Sequence, residues 1–196
     1  MERSGKLPEQ QKNSLYHTDV NMEFIKKQLQ PYAQLFASCT SVLDIGCGPG
    51  IFFDLLPAVE GNRYVGLDID FAMARITRNK GYHAVCCTAE TIQCCNTRFD
   101  GIHAGHIIEH LSGDSALRFI KACHSLLKPG GVFLVRTPNW ENELVRTKVF
   151  WLEISHVRPY PRELLIQLFR DQGFENIKTQ KENTRLEDIA IIGTRI

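Results

Sequence analysis

Between Ser41 and Gly50 a short apolar strand, Ser-Val-Leu-Asp-Ile, runs straight into Gly-Cys-Gly-Pro-Gly, with glycine at every second position. Glycine lacks a Cβ and takes positive φ readily, so the chain leaving this strand can turn tightly and let a ligand lie against bare backbone. A dinucleotide fingerprint needs G-x-G-x-x-G; here the third glycine is Gly50, and Ile51 stands where that fingerprint would place one. Asp44 precedes the first glycine, at the end of the strand.

Strands and helices then alternate. The apolar pattern predicts strands over 41–45, 63–68, 83–87, 101–104 and 132–136, with helices over 50–56, 71–79 and 116–127 and a turn at Lys128-Pro129-Gly130-Gly131. Such alternation demands a parallel sheet with helices on both faces. The tail breaks the pattern: a helix over 162–171 is closed by Gly173, and strands over 176–180 and 189–194 are joined by a polar turn over 181–187. A hairpin of that kind pairs antiparallel. The expected fold is therefore α/β, a doubly wound, mostly parallel sheet of seven strands ending in an antiparallel hairpin. Residues 1–21 are polar and patternless and read as a flexible arm or lid, while 22–196 read as a single domain. Its first element is a helical stretch over 22–36, interrupted by Pro31.

Lys and Arg number 23 against 22 Asp and Glu, for a net charge of +1. That lacks the basic surplus of a protein that binds by neutralising phosphates, so nucleic acid is not an expected partner. No run approaches the roughly 18 apolar residues of a membrane span, and the first residues lack the apolar core of a signal peptide, so a cytoplasmic location is expected. Seven cysteines, an odd count, suggest reduced thiols. Cys86-Cys87 and Cys94-Cys95 lack the C-x-x-C spacing of a zinc site.

Taken together, Leu43-Asp44-Ile45-Gly46-Cys47-Gly48-Pro49-Gly50, Phe99-Asp100 and Leu127-Lys128-Pro129-Gly130-Gly131 resemble the class I S-adenosylmethionine-dependent methyltransferases, in particular the ubiquinone-biosynthesis-like, type 11 domain. The resemblance covers roughly residues 41–174. It implies a Rossmann-like sheet and S-adenosylmethionine as cofactor, with Asp44, Gly46, Cys47, Gly48 and Gly50 around its methionine and ribose. Ligands of open α/β sheets bind beyond the carboxyl ends of the strands, and Asp68 closes the second strand there, able to accept hydrogen bonds from both ribose hydroxyls, with Ile69 beside it. In Cys87-Thr88-Ala89-Glu90 the resemblance places the adenine contacts at Thr88, Ala89 and Glu90; Thr88 replaces the family's usual acid, and its hydroxyl can accept one hydrogen bond. His106-Ile107-Ile108-Glu109-His110 resembles a family H-x-x-E-H segment and puts His106 near the cofactor's reactive end. A related Glu/His set holds a metal in small-RNA methyltransferases, but in a different order, and no metal is expected here.

The acceptor side is expected after the fifth strand, from Trp140 to the run His156-Val157-Arg158-Pro159-Tyr160-Pro161. His156 is the candidate general base, since imidazole can take a hydroxyl proton near neutral pH. Arg158 suits an anionic group, and Trp140 and Tyr160 complete the candidate substrate contacts. Pro161 at a helix start also fits a plain helix-entry loop. The expected activity is methyl transfer from S-adenosylmethionine to a small-molecule acceptor, through a hydroxyl oxygen. Its alternatives are an RNA methyltransferase and a non-catalytic cofactor-binding scaffold.

Overall fold

Apolar strands separated by glycine turns give one sheet of seven strands in the order β3-β2-β1-β4-β5-β7-β6. The computed structural model describes residues 19–94, 96–181 and 188–196. Its strands are β1 Ser41–Ile45, β2 Arg63–Asp68, β3 His83–Cys86, β4 Phe99–Gly105, β5 Leu127–Pro138, β6 Phe174–Lys181 and β7 Asp188–Arg195. The helices are α1 Asp19–Ala33, α2 Ile51–Asp54, α3 Phe71–Asn79, α4 Gly113–Leu126, α5 Glu143–Thr147 and α6 Arg162–Asp171. Strands β1 to β5 run parallel, and β7 lies antiparallel between β5 and β6. This is the doubly wound, mostly parallel architecture with a C-terminal hairpin that the sequence predicts.

Alternation along each strand divides the interior into two cores. Leu43, Ile45, Phe133 and Val135 face α4 and α6, where Phe119, Ile120, Leu165 and Phe169 meet them. Val42 and Leu134 face the other way, toward Phe36, Phe52 and Phe53. Because both faces are covered, every residue of β1 is buried, as a central parallel strand requires. Helix α4 shows why its sequence is helical: Ala116, Phe119, Ile120, Cys123 and Leu126 recur at helical spacing and are all buried, and the Ser112 side chain caps the start by accepting from Ser115 N–H.

Several boundaries differ from the sequence reading. Strand β5 starts at Leu127, because Leu127 pairs with Phe99 and Val132 with Gly101, so Lys128–Gly131 bulges within the strand. Lys128 Nζ ties that bulge to Asp100 at 2.7 Å. Helix α2 stops at Asp54, and β3 stops at Cys86. Helix α5, capped by the Asn142 side chain, and a 3-10 turn at Val149–Leu152 occupy a stretch for which no element was expected. The expected arm lies outside the described residues up to residue 18, and residues 19–21 begin α1. Of the expected polar turn, residues 182–187 lie outside the described residues. Cys39, Cys47, Cys86, Cys87 and Cys123 are free thiols. Among the described residues no helix is long and apolar enough to cross a membrane.

The Phe133 ring is fully buried, stacked on Phe169 at 5.2 Å and 4° and flanked by Phe174 at 5.5 Å. Phe133→Ala is expected to lower the unfolding free energy by about 3–5 kcal/mol in urea titrations, through the lost transfer energy and the cavity left behind.

Candidate active site

The strand order reverses between β1 and β4, so a crevice opens beyond their carboxyl ends. The glycine loop forms its floor. Gly46 has φ 76°, and a Cβ there would lie 2.5 Å from the Ile107 Cδ1 atom; Gly50 has φ 74° and a Cβ would meet Thr77 at 3.1 Å. Neither position admits a side chain without strain. The loop is fastened to β2: the N–H groups of Gly46 and Cys47 donate to the Leu67 carbonyl at 2.7 and 3.0 Å, and Gly48 N–H donates to Asp68 Oδ2 at 2.7 Å.

Asp68 accepts a second N–H, from Asp70 at 2.8 Å, on its other oxygen. Each oxygen keeps a lone pair for a further donor. Burial pushes the Asp68 carboxyl up, against the two amide bonds, which favour the charged form. Beside it Ile69 is 76% exposed, an apolar face at the rim of the crevice. Thr88 is exposed, with its hydroxyl 3.2 Å from that of Thr91, while Ala89 and Glu90 start a 3-10 turn after β3. A bare-backbone floor, a carboxylate with lone pairs to offer and an exposed apolar rim fit a nucleoside cofactor.

Two expected site residues are corrected by burial. The Cys47 side chain turns into the core against Gly66, with Sγ 4.0 Å from Thr77 Oγ1, and burial drives its thiol pKa up. Only the backbone of Cys47 can face a ligand. Tyr160 is 2% exposed, and its hydroxyl donates to the Leu111 carbonyl at 2.8 Å, so it braces the core and offers an acceptor nothing. Asp44 is also buried, where its Oδ1 accepts from Nδ1 of His103 at 2.6 Å. His103 did not stand out in the sequence as a site residue.

His106, in the left-handed region at φ 55°, carries two carboxylates. Its Nδ1 donates to Glu109 at 3.0 Å and its Nε2 to Asp188 at 2.7 Å. Arg136 pairs with the same Asp188 oxygen at 3.1 Å, and the Thr137 hydroxyl donates to the other Glu109 oxygen at 3.0 Å. Burial opposes a charge on His106, but Asp188 and Glu109 outweigh it and push the imidazole pKa up to about 10. Burial likewise works to raise both carboxyls, and His106 holds each below its ordinary value. The ring thus has no free nitrogen for a ligand; it ties the end of β4 to the start of β7.

On the acceptor side, His156 donates its Nδ1 proton to the Phe150 carbonyl at 2.7 Å, and His110 donates its own to the Ser155 carbonyl at 3.0 Å. The two rings lie 4.9 Å apart, and one ligand atom from each comes within 4.8 Å of the others and of a Glu109 oxygen. Sequence separation hid this grouping. Phe150 packs on His156 at 4.4 Å, and Trp140 meets Phe150 edge-on at 5.3 Å. The exposed Arg158 guanidinium lies 5.0 Å from the Tyr160 ring centre.

The folded value of about 10 for His106 lies above its ordinary 6.5, so the folded state retains that proton. Its stabilisation is complete below pH 6.5 and is lost as pH rises through about 10. Urea midpoints measured across that window should fall in the parent chain and fall less in His106→Gln.

The methyltransferase domain family model matches residues 16–179. A ubiquinone biosynthesis O-methyltransferase of Rhodopseudomonas palustris is 34% identical over 116 residues, covering 54% of this chain and 44% of that protein. A probable S-adenosylmethionine-dependent methyltransferase of Mycolicibacterium smegmatis is 36% identical over 115 residues, covering 55% and 42%. The chain thus spans less than half the length of these relatives. Among solved structures, a SAM-dependent methyltransferase from Archaeoglobus fulgidus superposes with a TM-score of 0.76 at 24% identity, covering 88% of this chain and 94% of that one. The N-methyltransferase NodS of Bradyrhizobium japonicum, in complex with S-adenosyl-L-homocysteine, superposes at 0.69 with 16% identity, covering 92% and 90%. With the family model over most of its length, a glycine loop and Asp68 at the switch point of the sheet, this chain belongs to the class I S-adenosylmethionine-dependent methyltransferases.

Proposed function

We propose that residues 22–196 act as one domain that moves a methyl group from S-adenosylmethionine to a hydroxyl oxygen of a small-molecule acceptor. The observation that carries this reading is the tautomer of His156: with Nδ1–H on the Phe150 carbonyl, the lone pair is left on Nε2 of a ring that lies 4.9 Å from that of His110. The names of the ubiquinone biosynthesis O-methyltransferases support an oxygen acceptor, and a net charge of +1 favours a small molecule over nucleic acid.

S-adenosylmethionine supplies a methyl group already carried on a good leaving group. Gly46, Gly48 and Gly50 present backbone to it, Asp68 accepts from the ribose hydroxyls, Ile69 and Ala89 flank the adenine, and Thr88 and Glu90 meet its polar edge. His156 takes the acceptor's hydroxyl proton at Nε2, Trp140 walls the acceptor, and Arg158 holds an anionic substituent. Positioning of this kind accounts for about 7–11 kcal/mol of a barrier, and a general base for about 10²–10⁴-fold.

A second reading rests on the proximity of Glu109, His110 and His156. Histidines whose Nδ1–H is fixed by a carbonyl are prepared for metal binding through Nε2, and a divalent cation there would acidify a bound hydroxyl.

Asp68→Ala is expected to weaken S-adenosylhomocysteine binding by about ten- to a hundredfold in calorimetry, the loss typical of a charged hydrogen-bond partner. His156→Gln should lower kcat toward phenol and catechol acceptors by about 10²–10⁴-fold while leaving that affinity unchanged. Methylation confined to amines would contradict the hydroxyl reading. Activity that survives EDTA supports His156 as the base; activity abolished by EDTA and restored by a divalent ion supports the metal.

A further inference from the structure

Asp44 and His103 are direct neighbours on the parallel strands β1 and β4, on the sheet face that also carries Phe36 and Phe52. They are 2% and 4% exposed, so a carboxylate and an imidazole lie in what is otherwise apolar core. Phe52 stacks on the His103 ring at 4.1 Å and 14°, and Phe36 meets Phe52 edge-on at 5.2 Å, which fixes the plane of the imidazole. Asp44 takes the Nδ1 proton at 2.6 Å. Nε2 is left buried with no hydrogen-bond partner.

That nitrogen points along β4 toward the crevice. A Cβ on Gly105 would lie 3.4 Å from Nε2 and 3.1 Å from Cε1 of His103, and 3.4 Å from an Arg136 guanidinium nitrogen. A side chain at residue 105 would press on the ring, so the glycine keeps the space beside its Nε2 edge clear of one. With Nδ1–H donated to the Asp44 carboxylate, the tautomer of the ring leaves its lone pair on Nε2. Buried polar groups rarely remain unpaired in native structures, and this one suits a cationic N–H donor arriving from the crevice.

The cofactor carries one such donor, the α-ammonium of its amino-acid end. With the ribose on Asp68 at the end of β2, the amino-acid end can run back toward β3 or across the glycine loop toward β4. Only the β4 direction brings the methyl group toward His156, whose segment hydrogen-bonds to Glu109 just after β4 through the Val157 and Arg158 N–H groups. We propose that His103, held by Asp44 and Phe52, is a binding residue for the cofactor, its Nε2 accepting a hydrogen bond from the α-ammonium of S-adenosylmethionine. This inference rests on the cofactor placement proposed above.

Calorimetry with two ligands separates the two claims. S-adenosylhomocysteine carries the amino-acid end, and 5′-methylthioadenosine keeps the adenosine and thioether but lacks that end. His103→Leu is expected to weaken S-adenosylhomocysteine about ten- to a hundredfold and to leave methylthioadenosine unchanged, which also shows that the site is folded. His103→Gln, which restores an acceptor oxygen, should recover part of the difference. Unchanged S-adenosylhomocysteine affinity in His103→Leu, or equal losses for both ligands, would overturn the proposal. If methylthioadenosine fails to bind the parent chain, the cofactor placement itself falls, and this assignment with it.

Discussion

The hydrogen bond from Gly48 N–H to the Asp68 carboxylate joins the two features on which the site depends. With the bonds from Gly46 and Cys47 to the Leu67 carbonyl, it holds the glycine loop against the end of β2 before any ligand arrives. The loop can close this way because Gly46 and Gly50 take positive φ and have no side chain to strike Ile107 and Thr77. A floor fastened in advance lowers the ordering cost of binding, which is the general benefit of preorganisation. Crevice shape and the Asp68 carboxylate are thus one structural unit.

Electrostatics divides the crevice into two regions. On the β2 side, Asp68 and the exposed Ile69 pair a polar with an apolar surface. On the β4 side a ribbon of charge crosses four strands: Asp44 with His103, then Arg136, Asp188, His106, Glu109 and Thr137. Nearly every member of that ribbon is buried and paired, as burial of charge demands. Through the His106–Asp188 pair it ties the carboxyl end of β4 to the start of β7.

Sequence pattern revealed the parallel core, the glycine loop and Asp68, because each follows from a local rule: strand–helix alternation, bare backbone and an acid closing a strand. It failed where partners lie far apart along the chain. Nothing in the His106 segment announces Asp188, whose carboxylate occupies the nitrogen that would otherwise face a ligand. Tyr160 looked available in its Pro-Tyr-Pro setting, yet Leu111 accepts its hydroxyl proton inside the core. Cys47 lies between glycines, but its side chain packs against β2 while its backbone stays in the loop. The meeting of Glu109, His110 and His156 likewise arises only when the loop after β5 folds back over the end of β4.

The central claim, that S-adenosylmethionine lies on the glycine loop between Asp68 and β4, is tested most directly by amide chemical shifts of the ¹⁵N-labelled chain during titration with S-adenosylhomocysteine. Changes are predicted to be largest at Gly46, Gly48, Gly50, Asp68 and Gly105, with the Lys128–Gly131 bulge at the opposite end of the sheet unmoved. Binding that leaves the glycine loop unshifted, or that centres on the bulge, would contradict the account.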